Sequence, residues 1–230
     1  MRTFDEFVAN KGETIAFIGS TGSGKSTLIN LIPRLFDVTS GKILFDGINI
    51  KDVKLKDLRE RIGFIPQRGT LFSGTIKENI SFTNKRVTKD MLELASNISQ
   101  SSEFINNLDN KYDYEISQSG KNVSGGQKQR LCIARAIAQD PDVYIFDDSF
   151  SALDYKTDLK LRKELAKVTK NKTIIIVAQR ISTIINADQI IVLDNGRVVG
   201  IGTHKELMND NAVYKEIAYS QFKKEEIDNG

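Results

Sequence analysis

The sequence predicts an α/β fold with a mostly parallel sheet. Two observations carry this reading. Short β-branched runs alternate with stretches of helical periodicity along most of the chain, the pattern of strands joined by crossover helices. One strand-to-helix junction, Gly19 to Ser26, is rich in glycine and small polar residues, as a tight turn that opens a helix must be.

The elements follow in order. Thr14–Ile18 reads as a buried strand, and Lys25–Leu35 as a helix that ends near Phe36. Lys42–Phe45 with Asp46-Gly47 reads as a strand and turn, and Ile62–Ile65 as a strand stopped by Pro66. From Thr75 to Ala138 the pattern is helices and loops without a clear strand. Capping boxes start helices at Thr75-Ile76-Lys77-Glu78, at Ser124-Gly125-Gly126-Gln127 and at Thr203-His204-Lys205-Glu206. Val143–Phe146, Thr173–Val177 and Gln189–Leu193 are further buried strands. Leu161, Leu165 and Val168 recur at helical spacing and make Thr157–Val168 an amphipathic helix. Asp194-Asn195-Gly196 marks a hairpin into Arg197–Ile201. The chain reads as one domain, with an α/β core over 1–74 and 139–222, an inserted helical subdomain over 75–138, and a charged, frayed tail over 223–230.

Composition narrows the classes. At 230 residues and 40% hydrophobic, the chain can build a core. A net charge of +3 is too small to argue for nucleic acid or an acidic membrane as partner. The longest apolar runs, Thr173–Ala178 and Val143–Phe146, fall far short of the roughly 18 residues of a spanning helix. Arg2, Asp5 and Glu6 break the start, and no signal-peptide core follows. Cys132 is the one cysteine, which excludes an internal disulfide and a cysteine metal cluster. His204 is the one histidine, which excludes multi-histidine metal sites.

The chemistry starts at Gly19-Ser20-Thr21-Gly22-Ser23-Gly24-Lys25-Ser26, which fits G-x-x-x-x-G-K-[ST] between a predicted strand and helix. Glycines let successive N–H groups turn inward around a polyphosphate, and the helix N-terminus adds positive potential. Lys25 would reach the terminal phosphates and the Ser26 hydroxyl would ligate Mg²⁺. The candidate ligands of ATP and Mg²⁺ thus run from Gly19 through Thr27. Val143-Tyr144-Ile145-Phe146-Asp147 supplies an apolar strand ending in an acid, and Asp147 would hold the metal through water.

Val123-Ser124-Gly125-Gly126-Gln127, with these two motifs, resembles the Leu-Ser-Gly-Gly-Gln signature of ABC-type ATPases. Gln67 in Phe64-Ile65-Pro66-Gln67 resembles the family's Q-loop, and Ser151-Ala152-Leu153-Asp154 its D-loop. Gly69–Ile76, Tyr112–Glu115 and Gly202–Leu207 are similar to stretches of the exporter branch. The resemblance implies a P-loop NTPase core of RecA-like architecture, with Gln67 as a further metal and γ-phosphate sensor. It also implies a second ABC ATPase domain, toward whose nucleotide Ser124, Gly125, Gly126, Gln127 and Asp154 would face. A transmembrane domain is implied as the other partner, which places the chain at the cytoplasmic face of the cell membrane. Arg68–Gly74 with Tyr112–Ser119 would form the groove that takes its intracellular helices.

Three departures stand out. The family's Glu after the strand-end Asp is here Asp148, one methylene shorter. The family's switch His is here Gln179, and His204 is no substitute because it belongs to the Gly-Thr-His-x-Glu-Leu element. Catalytic positioning is sensitive on the ångström scale. The pair of changes therefore resembles the degenerate-site subunit of heterodimeric exporters, with a slow homodimer as the alternative. Thirdly, Lys11-Gly12-Glu13 already abuts the first strand, so the first β elements and the adenine-stacking aromatic are expected to be missing; Phe4 and Phe7 read as core residues of a preceding edge strand.

Competing functions are a soluble ABC ATPase acting on DNA or ribosomes, and a nucleotide-gated module with negligible turnover. DNA-repair relatives place a long coiled coil between phosphate loop and signature, and the interval from Ser26 to Ser124 has no room for one. Ribosomal relatives carry two such domains in one chain. No nucleic-acid partner is expected.

Overall fold

The computed structural model describes residues 6–82, 84 and 86–228. The strands are β1 (Thr14–Gly19), β2 (Leu44–Phe45), β3 (Ile48–Asn49), β4 (Ile62–Ile65), β5 (Gly74–Thr75), β6 (Glu115–Ile116), β7 (Val143–Asp147), β8 (Thr173–Val177), β9 (Gln189–Asp194) and β10 (Arg197–Gly202). The helices are α1 (Lys25–Leu31), α2 (Leu55–Glu60), α3 (Ile76–Ser81), α4 (Lys89–Ile98), α5 (Ser102–Ile105), α6 (Gly125–Ala138), α7 (Tyr155–Val168), α8 (Ile181–Ile184), α9 (His204–Asp210) and α10 (Ala212–Asp228). They fall into two compact units, one of Met1–Leu58 with Thr173–Gly230 and one of Arg59–Lys172.

In the first unit β1 lies between β8 and β9 and is parallel to both. β10 closes the far side of β9 as an antiparallel hairpin strand. Ile15, Ala16, Phe17 and Ile18 of β1 are buried in succession, so both faces of the strand are covered and an unbroken apolar run suits it. The β9–β10 turn places Asn195 and Gly196 at φ of 46° and 76°, the paired left-handed residues that a two-residue hairpin favours. Helix α1 is shorter than its periodicity predicts. Pro33 lacks a backbone donor and Arg34 turns left-handed at φ 50°, so the helix stops before Phe36. Residues 6–10 carry no regular structure, which corrects the expected edge strand. Phe7 instead meets Phe17 edge to face at 5.4 Å, and Phe4 lies outside the described residues.

In the second unit β4 and β7 pair in parallel. A short antiparallel ladder joins β5 to β6, so the stretch from Thr75 read as strandless holds β6 and the second residue of β5. The capping boxes at Thr75 and Ser124 form in full. Helix α6 buries Gln129, Cys132, Ile133 and Ala136 along one stripe.

The region expected to fray is helical to Asp228. Tyr214 and Ala218 are fully buried and fix the start of α10. Residues 229–230 lie outside the described residues. Among the described residues no helix is long and apolar enough to cross a membrane.

Candidate functional site

The phosphate loop leaves β1 at Gly19. A Cβ there would collide with the Leu193 carbonyl oxygen and stand 2.8 Å from Ser23 Oγ, so only glycine permits this approach. Gly24 caps α1 in the left-handed region at φ 96° and offers no side-chain acceptor, which leaves the first N–H groups of the helix to other acceptors. Lys25 is 9% exposed. Its Nζ donates to the carbonyls of Gly19 and Ser20, each at 2.8 Å, and to Ser23 Oγ at 3.3 Å. The ammonium is thereby held over the loop. Ser26 and Thr27 are exposed on the first turn of the helix. A glycine turn that admits no side chain at Gly19, a helix start with no side-chain cap and a fixed cation fit a polyphosphate. Around Gly22 a Cβ would meet nothing, so Ser20, Thr21 and Gly22 form the open rim of the cradle.

The second unit holds a cluster of its own. Asp147 ends β7, and Asp148 follows at φ 47°, a left-handed conformation that Asp tolerates better than most residues. Gln67 Nε2 donates to Asp148 Oδ2 at 2.9 Å. The structure therefore brings together two of the residues expected in the catalytic set. Ser149, fully buried, donates from Oγ to the Ile65 carbonyl at 2.7 Å and ties the end of β7 to the end of β4. Gln129, also buried, donates to the Pro66 carbonyl at 3.0 Å and accepts from Gly69 N–H at 2.9 Å, so α6 grips both sides of Gln67. Ser151 Oγ donates to the Asp148 carbonyl at 2.7 Å.

Ser124 caps α6: its Oγ accepts from Gln127 N–H at 3.2 Å, and Gln127 Oε1 accepts from Ser124 N–H at 2.8 Å. Both side chains are therefore engaged by the box. A Cβ on Gly125 would meet nothing, and one on Gly126 would meet only the Ala152 carbonyl at 3.5 Å. Asp154 caps α7 by accepting from Thr157 N–H at 2.9 Å, and hydrogen bonding from the Thr157 hydroxyl and then its N–H lowers the carboxyl pKa.

Gln179 is exposed just beyond β8, and its carbonyl accepts from Gln221 Nε2 at 2.6 Å. His204 stands at the first position of α9 behind the Thr203 box, and its Nδ1 lies 2.8 Å from the hydroxyl of buried Tyr214. In the segment after Gln67, Leu71 is buried and Phe72 is 49% exposed. Phe72 stacks on Phe82 at 5.1 Å, with the Arg135 guanidinium over both rings. Ile76 N–H donates to the Tyr114 carbonyl at 3.1 Å, which sets the Tyr112–Ser119 segment beside β5.

The model of the family described as ABC transporter matches residues 5–151. This chain belongs to the ABC transporter family. It is 46% identical over 207 residues to a Staphylococcus aureus (strain NCTC 8325 / PS 47) protein named as a multidrug export ATP-binding/permease protein, across 90% of this chain and 36% of the relative. The counterpart in S. aureus strain bovine RF122 / ET3-1 is equally similar. A solved structure of a bacterial Atm1-family ABC exporter with ATP bound superposes with a TM-score of 0.88 at 36% identity, over 91% of this chain and 37% of that one. The chain thus spans little more than a third of the length of these relatives. Its α/β fold with parallel strands is that of the P-loop NTPases of ABC transporters.

For this ABC domain, sequence reasoning missed three amide and hydroxyl clamps: Gln129, Ser149 and Gln221. Gln129 carries a signal, since a polar residue interrupts the apolar stripe of Cys132, Ile133 and Ala136. Ser149 and Gln221 carry none, because their partners are backbone groups remote in sequence.

Proposed function

We propose that this chain is the ATP-binding and ATP-hydrolysing domain of an ABC exporter, paired with a second ABC domain and with a transmembrane part. The observation that carries it is the Gly19–Ser26 cradle with Lys25 fixed above it. Bound ATP supplies the phosphoanhydride to be cleaved, and Mg²⁺ supplies charge that offsets its oxygens. Lys25 would hold the β- and γ-phosphates. In the first unit the Ser26 hydroxyl would ligate Mg²⁺, and in the second Asp147 and Gln67 are the residues that the family resemblance assigns to the metal, all oxygen donors of the kind Mg²⁺ takes. The names of the relatives, ATP-binding/permease and exporter, favour an exporter over a protein that acts on DNA or ribosomes.

The site on this chain's own phosphate loop is slow. Asp148 is the residue placed to orient the attacking water, but it is a methylene short, and Gln67 engages one of its carboxylate oxygens. Gln179 offers a neutral amide where the family has an imidazole. Phosphoryl transfer depends on positioning and charge stabilisation, so small displacements are costly. A different partner chain with Glu and His at these places would carry most of the turnover. The signature Ser124–Gln127 serves that partner's nucleotide. Support comes from Gly125, whose missing side chain answers no need inside this chain.

Mg-ATP titration of the Lys25→Ala variant tests the reading. Each lost charge-assisted hydrogen bond removes roughly 1.5–3 kcal/mol, so affinity should fall at least tenfold. Binding as tight as the parent's would refute it.

A further inference from the structure

The segment that carries Gln179 is held by a side chain from the last helix. α8 begins at Ile181 behind Arg180, which makes no side-chain cap hydrogen bond, so the first N–H of the helix needs an acceptor from elsewhere. Gln221 of α10 supplies it: its Oε1 accepts from Ile181 N–H at 2.8 Å. The Nε2 of the same carboxamide donates to the Gln179 carbonyl at 2.6 Å. One side chain therefore bridges the backbone on both sides of Arg180. A donor and an acceptor are needed at once, and only an amide offers both in this geometry.

The clamp has a firm base. Tyr214 and Ala218 are fully buried and share one face of α10 with Gln221 at helical spacing. α10 packs against α8, where Ile181 and Ile184 are 2% and 1% exposed. At the other end, Ala178 N–H donates to the Phe17 carbonyl at 3.1 Å. Gln179 thus sits between a backbone tie to the central strand and a side-chain tie to the C-terminal helix.

We propose that Gln221 is a positioning residue for ATP turnover, fixing the backbone of the switch segment so that α10 sets where the Gln179 side chain stands. This rests on the reading of Gln179 as the switch residue. Gln221→Met removes both hydrogen bonds at similar volume. Gln221→Glu keeps an acceptor for Ile181 but sets a carboxylate against the Gln179 carbonyl.

Two readouts on the same protein test it. Amide exchange followed residue by residue reads the clamp without nucleotide. In Gln221→Met, protection at Ile181 should fall about fivefold or more, the worth of a typical hydrogen bond, while β1 and β9 keep theirs. In Gln221→Glu that protection should persist. Mg-ATP turnover of the self-paired chain, where both sites are built on this chain's own phosphate loop, reads the use of the clamp: both variants should lower its slow kcat about tenfold with KM nearly unchanged, the mark of an interaction made in the transition state. Unchanged protection at Ile181 in Gln221→Met would overturn the proposal. So would lost protection with the kcat of an active parent unmoved. A self-paired parent without turnover would overturn the positioning role and leave the ATP-binding reading to the Lys25→Ala titration, and a failed clamp in an active parent would likewise leave that function standing.

Discussion

Asp148 and Gln67 show how one backbone torsion and one hydrogen bond bring together two residues far apart in sequence. The left-handed turn at Asp148, φ 47°, brings its carboxylate to the Gln67 amide at 2.9 Å. On our reading the double variant Asp148→Glu with Gln179→His should raise the turnover of the self-paired chain. Asp148→Asn in the assembled pair should cost little. Steady-state ATPase rates on both proteins decide this, and a dead Asp148→Asn pair would make Asp148 a working catalytic carboxylate. The gain has a cost in stability. Glu is less tolerant of the left-handed region than Asp, so Asp148→Glu should lower stability by about 1 kcal/mol, visible as a lower Tm.

Helix α6 is the element on which the second unit turns. Its N-terminus presents Gly125 to open space, its buried stripe holds Gln129 on the Gln67 loop, and its Arg135 backs Phe72 and Phe82. Replacing Gly125 with Trp should leave the folding and nucleotide binding of the isolated chain intact, because a Cβ there meets nothing. It should abolish turnover of the assembled pair; loss of binding by the isolated chain would place the signature in cis. Phe72→Ser should uncouple ATPase from transport in vesicles with little change in Tm, since Phe72 is 49% exposed and its neighbour Leu71 carries the burial. A collapse in Tm would assign Phe72 to the core instead. Most of these elements were legible in the sequence. β4 and β8 match the residues their apolar runs predict, and all three capping boxes form. The lapses share a cause: local pattern carries no information on remote partners. Periodicity runs α1 through Pro33, and the charge of Lys223–Gly230 gives no sign of the helix that reaches to Asp228 from the buried Tyr214 and Ala218.

At the scale of the whole molecule, the titration of buried phenols limits stability in alkali. Burial pushes the Tyr214 hydroxyl up to about 12, and Tyr144 is raised further by burial and by the Asp140 charge. An unfolded tyrosine ionises near pH 10. The stability tied to the protonated Tyr214 is therefore complete below about pH 10 and is lost as pH rises toward 12. Tm measured from pH 8 to 11.5 should fall steeply above 10, and Tyr214→Phe should flatten part of that slope. The phosphate loop and the signature were legible in sequence as motifs, whereas the ties that hold Gln67, Asp148 and Gln179 appear only once the chain is folded. The open space above Gly125 also has a genetic consequence. A signature that serves another chain makes the two lesions unequal in a cell. With a distinct partner, an allele carrying Lys25→Ala disables only the slow site and should be mild. An allele carrying Gly125→Trp removes the signature from the fast site and, in excess over the normal copy, should behave as a dominant poison. In a homodimer the Lys25→Ala allele would disable both sites, and co-expressing the two mutant copies would rebuild one intact site by interallelic complementation.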